Sequence, residues 1–145
     1  MATGTAGTAA RQHPLQMVHY LRKGIEYNAT GIATDATVKV GILPAGALPL
    51  FTMVVVTTAF NAGTTNPIDV GVSGNEDAFV DGGTTGDATD ADADATTAGG
   101  YIVWRAAGQI ISSDTTIYVT YTESGTAASA GAAEIVVAYV PDNDR

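Results

Sequence analysis

The segment from residue 42 to residue 63, ILPAGALPLFTMVVVTTAFNAG, constrains the fold of this chain more than any other stretch. Pro44-Ala45-Gly46 predicts a turn, and the β-branched run after it predicts a long strand over residues 47–58. Alternation divides this strand into one face with Leu48, Leu50, Thr52, Val54 and Val56 and another with Phe51, Met53 and Val55. Because both faces carry apolar groups, we expect a central strand or one placed between a core and a subunit contact.

Shorter strand patterns recur before and after this segment. They cover residues 18–28, 38–42, 68–72, 101–104, 109–111, 116–121 and 134–140. Turn residues separate those of the final third at intervals typical of antiparallel sheets. Seven or eight short strands without a convincing helix predict an all-β fold, an antiparallel β-sandwich or jelly roll.

Length and composition predict one domain with two irregular parts. A chain of 145 residues has the size of a single domain that buries roughly 70% of its unfolded surface. Residues 1–14 are mainly Ala, Thr and Gly and predict a flexible, extended N-terminal arm. Residues 15–145 then form the β-sandwich domain, with a long polar insert at residues 73–99.

Charge is distributed unevenly along the chain, whose net charge is −9. Residues 1–45 are net positive through four cations, which are Arg11, Arg22, Lys23 and Lys39. Residues 46–145 hold 13 of the 15 acids, and such a surface repels phosphate backbones, so we expect no binding to nucleic acid. We expect Arg11, Arg22 and Lys23 to contact an acidic partner instead.

Several absences bear on where the protein works. The chain has no cysteine, which excludes disulfides and fits maturation in a reducing cytoplasm. The N-terminal residues lack the apolar run of a secretory signal, and no stretch is long and apolar enough to span a bilayer. We therefore expect a soluble, unexported protein without membrane contact.

The residue inventory does not indicate an enzyme. His13 and His19 are the only histidines, and a hydrolytic triad needs one held between a nucleophile and a carboxylate. His13 lies in the predicted arm, which is a poor platform for catalysis. No phosphate-binding or dinucleotide-binding glycine motif is present, so we expect no cofactor.

Asp90-Ala91-Asp92-Ala93-Asp94 is the sharpest candidate for metal binding, because closely spaced carboxylates on a loop can converge on calcium. The EF-hand pattern requires a glycine after the third acidic position, where this chain has Ala95, and no bidentate Glu lies nearby. We therefore prefer an acidic, solvated loop over a metal site.

Two further groups of residues are candidates for contacts. One is a second oxygen-rich cluster, for which a polar turn is again the preferred interpretation: Asn75, Glu76 and Asp77, near Asp69 and Asp81. The other is Trp104, beside Arg105, because both residue types are enriched at binding hot spots. Core packing of Trp104 is an equally good interpretation. Together with the cations above, Phe51, Met53, Val55 and Trp104 are our candidate interface residues.

The pattern of residues 24–80 resembles the jelly-roll cement or decoration proteins of tailed-phage heads. The features that carry this resemblance are Leu43-Pro44-Ala45-Gly46, the long strand ending in Ala59-Phe60-Asn61, and Asp69-Val70-Gly71. Residues 1–14 and 87–98 have no counterpart in that pattern.

The resemblance implies a structural virion protein that binds the assembled head and bridges neighbouring major capsid subunits. Its implied partners are the major capsid protein and further copies of itself, as a homodimer or homotrimer. It would reside on the capsid surface after assembly in the host bacterial cytoplasm. The alternative is a carbohydrate-binding or host-binding β-sandwich module of a virion, with calcium at Asp90, Asp92 and Asp94.

Overall fold

The structure of the protein, a computed structural model, describes residues 17–29, 37–82, 98–103 and 110–142. Within these ranges the chain forms eight β-strands and no helix, which confirms the predicted all-β class. The strands are β1 (His19–Glu26), β2 (Thr37–Leu43), β3 (Leu48–Thr58), β4 (Ile68–Val72), β5 (Asn75–Val80), β6 (Gly99–Val103), β7 (Thr115–Tyr121) and β8 (Ala132–Val140). The described residues contain no helix that is long and apolar enough to cross a membrane.

The strands form two four-stranded antiparallel sheets. Sheet A has the order β1-β8-β3-β6, and sheet B has the order β2-β7-β4-β5. The pairs β1–β8, β2–β7, β3–β6 and β4–β5 each join a strand of the first half to one of the second half. This pairing is that of a long hairpin rolled into two sheets, which is a jelly roll.

The core lies between the two sheets and is built from alternate residues of each strand. Val54, Ile135 and Val137 of sheet A are fully buried, as are the sheet B residues Val70 and Val119. Alternation explains this placement, because successive side chains of a strand point to opposite faces. β3 therefore gives Thr52, Val54 and Val56, which share a face as predicted, to the core. An irregularity between Pro49 and Phe51 changes the alternation, so Pro49 is buried there and the predicted members Leu48 and Leu50 are not.

Two segments differ from the strand pattern predicted from the sequence. β5 lies inside the stretch 73–99 that we predict as a polar insert, where Val80 is buried and pairs with Val70 of β4. Ile111, which we predict in a strand, lies outside the strands of the structure. Its backbone is instead hydrogen-bonded to the turn before β3. Its N–H donates to the Ala47 carbonyl at 2.8 Å, and its carbonyl accepts from the N–H of Gly46 at 2.6 Å. Residues 1–14 and 83–97 lie outside the described ranges.

Candidate functional site

The outer face of sheet A, turned away from the core, carries a continuous group of apolar side chains, with Arg22, Glu26 and Glu134 on the same face. We name it the sheet A stripe and define it by six residues: Tyr20, Phe51, Met53, Val55, Val136 and Ala138. Strand register places Tyr20, Ala138 and Phe51 in one row across β1, β8 and β3. Val136 and Met53 are partners in the next row, which continues in register to Ile102 of β6. Long-range pairing thus joins three strands into one surface.

The sheet A stripe is well packed for an outer surface. Ala138 is completely buried although its register partners Tyr20 and Phe51 lie on the outer face. Met53 and Val136 are half-buried, whereas Tyr20 keeps 60% of its surface exposed. The apolar side chains of this surface are therefore partly shielded, and Tyr20, at the β1 side, is the most exposed of them.

An ion pair lies beside the sheet A stripe. The Arg22 Nε donates a hydrogen bond to Oε2 of Glu134 at 3.0 Å, across the β1–β8 pair. This hydrogen bond and the charge of Glu134 raise the pKa of Arg22. Because the Arg22 side chain is 71% exposed, the pair adds little to folding stability and mainly orients the two side chains.

The remaining predicted interface residues occupy different places. Lys23 lies next to Arg22 on β1 but alternates with it, on the same face as Leu21 and the buried Ile25, and it is half-buried. Arg11 and Trp104 lie outside the described residues. The structure therefore brings Phe51, Met53 and Val55 together with Arg22, on the face opposite to that of Lys23, and their roles stay predictions.

The second acidic cluster predicted from the sequence lies on sheet B. Asp69, Glu76, Asp77 and Asp81 line an open pocket of about 550 Å³ near the β4–β5 turn. Burial raises the pKa of Asp69, while a hydrogen bond from the Gly82 N–H at 2.7 Å opposes that shift. Repulsion from the other three carboxylates raises the pKa further.

None of the described residues forms a group of three or more metal-binding side chains, this pocket included. Asp90, Asp92 and Asp94 lie outside the described ranges, so our preference for a solvated acidic loop over a calcium site there stays a prediction. His19 is exposed at the start of β1, and its ring lies 5.7 Å from that of Tyr139. His13 lies outside the described residues.

Sequence reasoning missed Tyr20, Val136 and Ala138 as members of the sheet A stripe. The signal was present in β8, whose sequence AAEIVVAYV is apolar on both faces except at Glu134. Its neighbours could not be read from the sequence, because β8 lies between β1 and β3 through pairings more than 70 residues apart along the chain.

No protein-family model and no curated protein sequence matches this chain. Among solved structures, it is similar to a chain of the acidic stable capsid of Helicobacter pylori bacteriophage KHP30, with a TM-score of 0.60 and 13% identity over 86% of this chain and 88% of that chain. A chain of the cyanophage Pam1 capsid asymmetric unit gives a TM-score of 0.55 and 20% identity over 97% of both chains. A chain of the Ralstonia phage GP4 capsid gives a TM-score of 0.55 and 19% identity over 88% of this chain and 86% of that chain. These likenesses show a shared fold.

Proposed function

We propose that this protein is a structural component of a bacteriophage head, which binds the assembled shell and bridges neighbouring major capsid subunits. The observation that carries the proposal is the shared fold with chains from three phage capsids over 86%, 97% and 88% of this chain. We accordingly propose a structural role in a virion rather than an enzymatic one.

The partners in this proposal are the major capsid protein and further copies of the chain itself. A shell repeats each contact many times, so weak individual contacts add up to a stable assembly through avidity. The sheet A stripe supplies apolar contact area, and the cations Arg11, Arg22 and Lys23 supply attraction to acidic neighbours. We place the protein on the capsid surface, after assembly in the host cytoplasm.

Heads assembled without this protein provide the test. Phage heads from a strain lacking the gene should release DNA at a lower temperature than wild-type heads, and added purified protein should restore the wild-type value. Cryo-electron microscopy of the restored heads should show density at regular positions between capsid subunits. Density confined to the tail, or heads of unchanged stability, would instead favour the host-binding alternative.

The basic N-terminal region has its own test within the same experiment. Deletion of residues 1–14 should leave the domain folded and lower its occupancy on heads, with a weaker effect as salt rises, because salt screens the exposed ion pairs that the arm forms in the wild-type protein. Arg22→Ala should lower occupancy in the same way. Lys39→Ala, on sheet B, is the matched loss of one cation and should leave occupancy unchanged. Equal occupancy of the wild-type protein and all of these variants would contradict a role for the basic region in head binding.

A further inference from the structure

We infer that the sheet A stripe binds the same stripe of a second copy of this chain, so that two sandwiches pack face to face about a two-fold axis. This inference rests on the proposed function and deepens it, because it assigns the contact between copies of the chain to one surface. A symmetric dimer uses the same patch on both subunits, which must therefore be self-complementary. The apolar side chains of the stripe, the charges around it and the edge strand β1 all favour such a contact between two copies.

The two outer faces of the sandwich differ in character. Sheet B follows the usual rule for antiparallel sheets, with its inner face in the core and its outer face mainly polar. Its outward positions include the polar residues Thr37, Lys39, Asp69, Thr116 and Thr120, together with Tyr118 and the exposed Ile42. Sheet A places Met53, Val55 and Val136 at the equivalent positions. An outer face of this kind marks a protein contact, because solubility alone would select polar groups there.

Charge favours a second copy as the occupant of this face. Seven described acids lie away from the sheet A stripe, on sheet B or in loops and turns: Asp69, Glu76, Asp77, Asp81, Asp114, Glu123 and Asp142. Beside the stripe, the described charges are Arg22, Glu26 and Glu134, which sum to only −1. Two copies of a chain with net charge −9 repel each other through their acidic surfaces. They approach at least cost through this face, whereas a basic partner would prefer the acidic ones.

The arrangement of charges is also that of an interface. Protein contacts have an apolar centre and a polar rim that keeps both signs of charge in solvent. Met53 and Val136 lie at the centre of the sheet A stripe, Arg22 lies across from Val136 on the edge strand β1, and Glu134 lies on β8 across from Val55. A rim with both signs can face a copy of itself, since each cation finds a carboxylate on the other subunit.

The β1 edge of sheet A is a poorer route to association. β1 is an edge strand of that sheet, and edge strands can pair with another chain through their free backbone groups. Lys23 sits on the inner face of β1, and an inward-pointing charge on an edge strand would be buried by further pairing. Leu21 also packs toward Gly41 of β2, so β1 lies against the other sheet. Face-to-face packing avoids both obstacles.

The size of the face fits a reversible dimer. Four strands about 4.8 Å apart and the length of β8 at about 3.3 Å per residue give a face of roughly 19 by 30 Å, or about 570 Å². Two such faces together bury about 1,100 Å², close to the lower limit of roughly 1,200 Å² for specific interfaces. We therefore expect a dimer that dissociates at low micromolar concentration and persists on a shell.

Sedimentation equilibrium of the purified protein tests this inference without any capsid. From about 1 µM to 0.1 mM, the wild-type mass should rise from monomer to dimer. Met53→Glu places a carboxylate at the centre of the stripe and should weaken dimerisation by at least about tenfold. Thr116→Glu adds the same charge on sheet B and should dimerise like wild type. Thermal unfolding establishes that each variant is folded, and Met53→Gln serves as a milder change if Met53→Glu is not.

The outcomes separate this inference from the proposed function. A wild-type monomer at about 0.1 mM, a trimer, or Met53 variants that dimerise like wild type would each overturn face-to-face docking. Head binding is measured in the separate assay described above. Dimerisation through the stripe by a protein that ignores phage heads would support the inference and contradict the proposed function.

Discussion

Tyr121 donates a hydrogen bond from its hydroxyl to Oδ1 of Asn66, and the two oxygen atoms are 2.7 Å apart. Both residues are buried, with exposed fractions of 0% for Tyr121 and 2% for Asn66. The same Oδ1 accepts from the Ala62 N–H at 2.9 Å. The bond therefore fastens the loop after β3 to the end of β7. Burial, with a smaller contribution from Glu123, raises the pKa of Tyr121 to about 12.

Tyr121→Phe should lower the free energy of unfolding by about 1 kcal/mol, the usual net value of a hydrogen bond. The loss stays small because Asn66 Oδ1 keeps its bond from Ala62 and the ring of residue 121 keeps its packing 4.5 Å from that of Phe60. Urea denaturation measures the change. Tyr118→Phe, on the opposite face of β7, is the control and should change stability by less than about 0.5 kcal/mol.

Local sequence pattern predicted much of this fold, because its strands alternate clearly. β3 and β7 follow their β-branched runs, and Gly46 has the positive φ of 86° that the predicted turn favours. β5 escaped prediction because Asn75, Glu76 and Asp77 are polar, and its pairing with β4 gives it strand structure.

The candidate surface was only half predictable. The outward placement of Met53 follows from alternation within one strand, which is local information. The placement of Val136 beside it depends on the jelly-roll order of sheet A, which pairs residues 83 positions apart. No local pattern specifies that pairing, because its stability comes from burial of the whole core.

Gly46→Ala should cost more stability than Gly74→Ala, although their φ angles are nearly equal at 86° and 82°. A Cβ at position 74 would meet nothing within 4 Å, so that change should cost about 1 kcal/mol of backbone strain. A Cβ at position 46 would lie 2.5 Å from Cβ of Asp142, so overpacking should bring its cost to about 3 kcal/mol. Denaturation of both variants gives the comparison. Equal losses of stability in the two variants would mean that the segment around Asp142 shifts at little cost to accommodate the added Cβ.

Thr52→Val should raise the free energy of unfolding by about 1 kcal/mol, since a buried polar group without a partner is costly. Thr52 is 1% exposed, and its Oγ1 has no hydrogen-bond partner among the described residues. Thr57→Val is the matched change on the same strand. The Oγ1 of Thr57 donates to the Ala132 carbonyl at 3.1 Å, so this variant should lose about 0.5 kcal/mol. Destabilisation by Thr52→Val would show that the Thr52 hydroxyl has a hydrogen-bond partner in solution.

Asp69→Asn should stabilise the protein at neutral pH and change the acid side of its stability profile. Burial raises the folded-state pKa of Asp69 above its ordinary 3.8, so the folded protein takes up this proton more readily than the unfolded chain. The stabilisation from that proton is complete below the unfolded pKa and is lost as pH rises through the folded pKa. The asparagine Oδ1 can still accept the bond from Gly82 N–H, and its amide carries no charge to desolvate or repel Asp81. Melting temperatures of both proteins from about pH 3 to pH 8 test this, and the advantage of the variant should shrink toward acid. A difference that stays constant across that range would contradict the assigned cause.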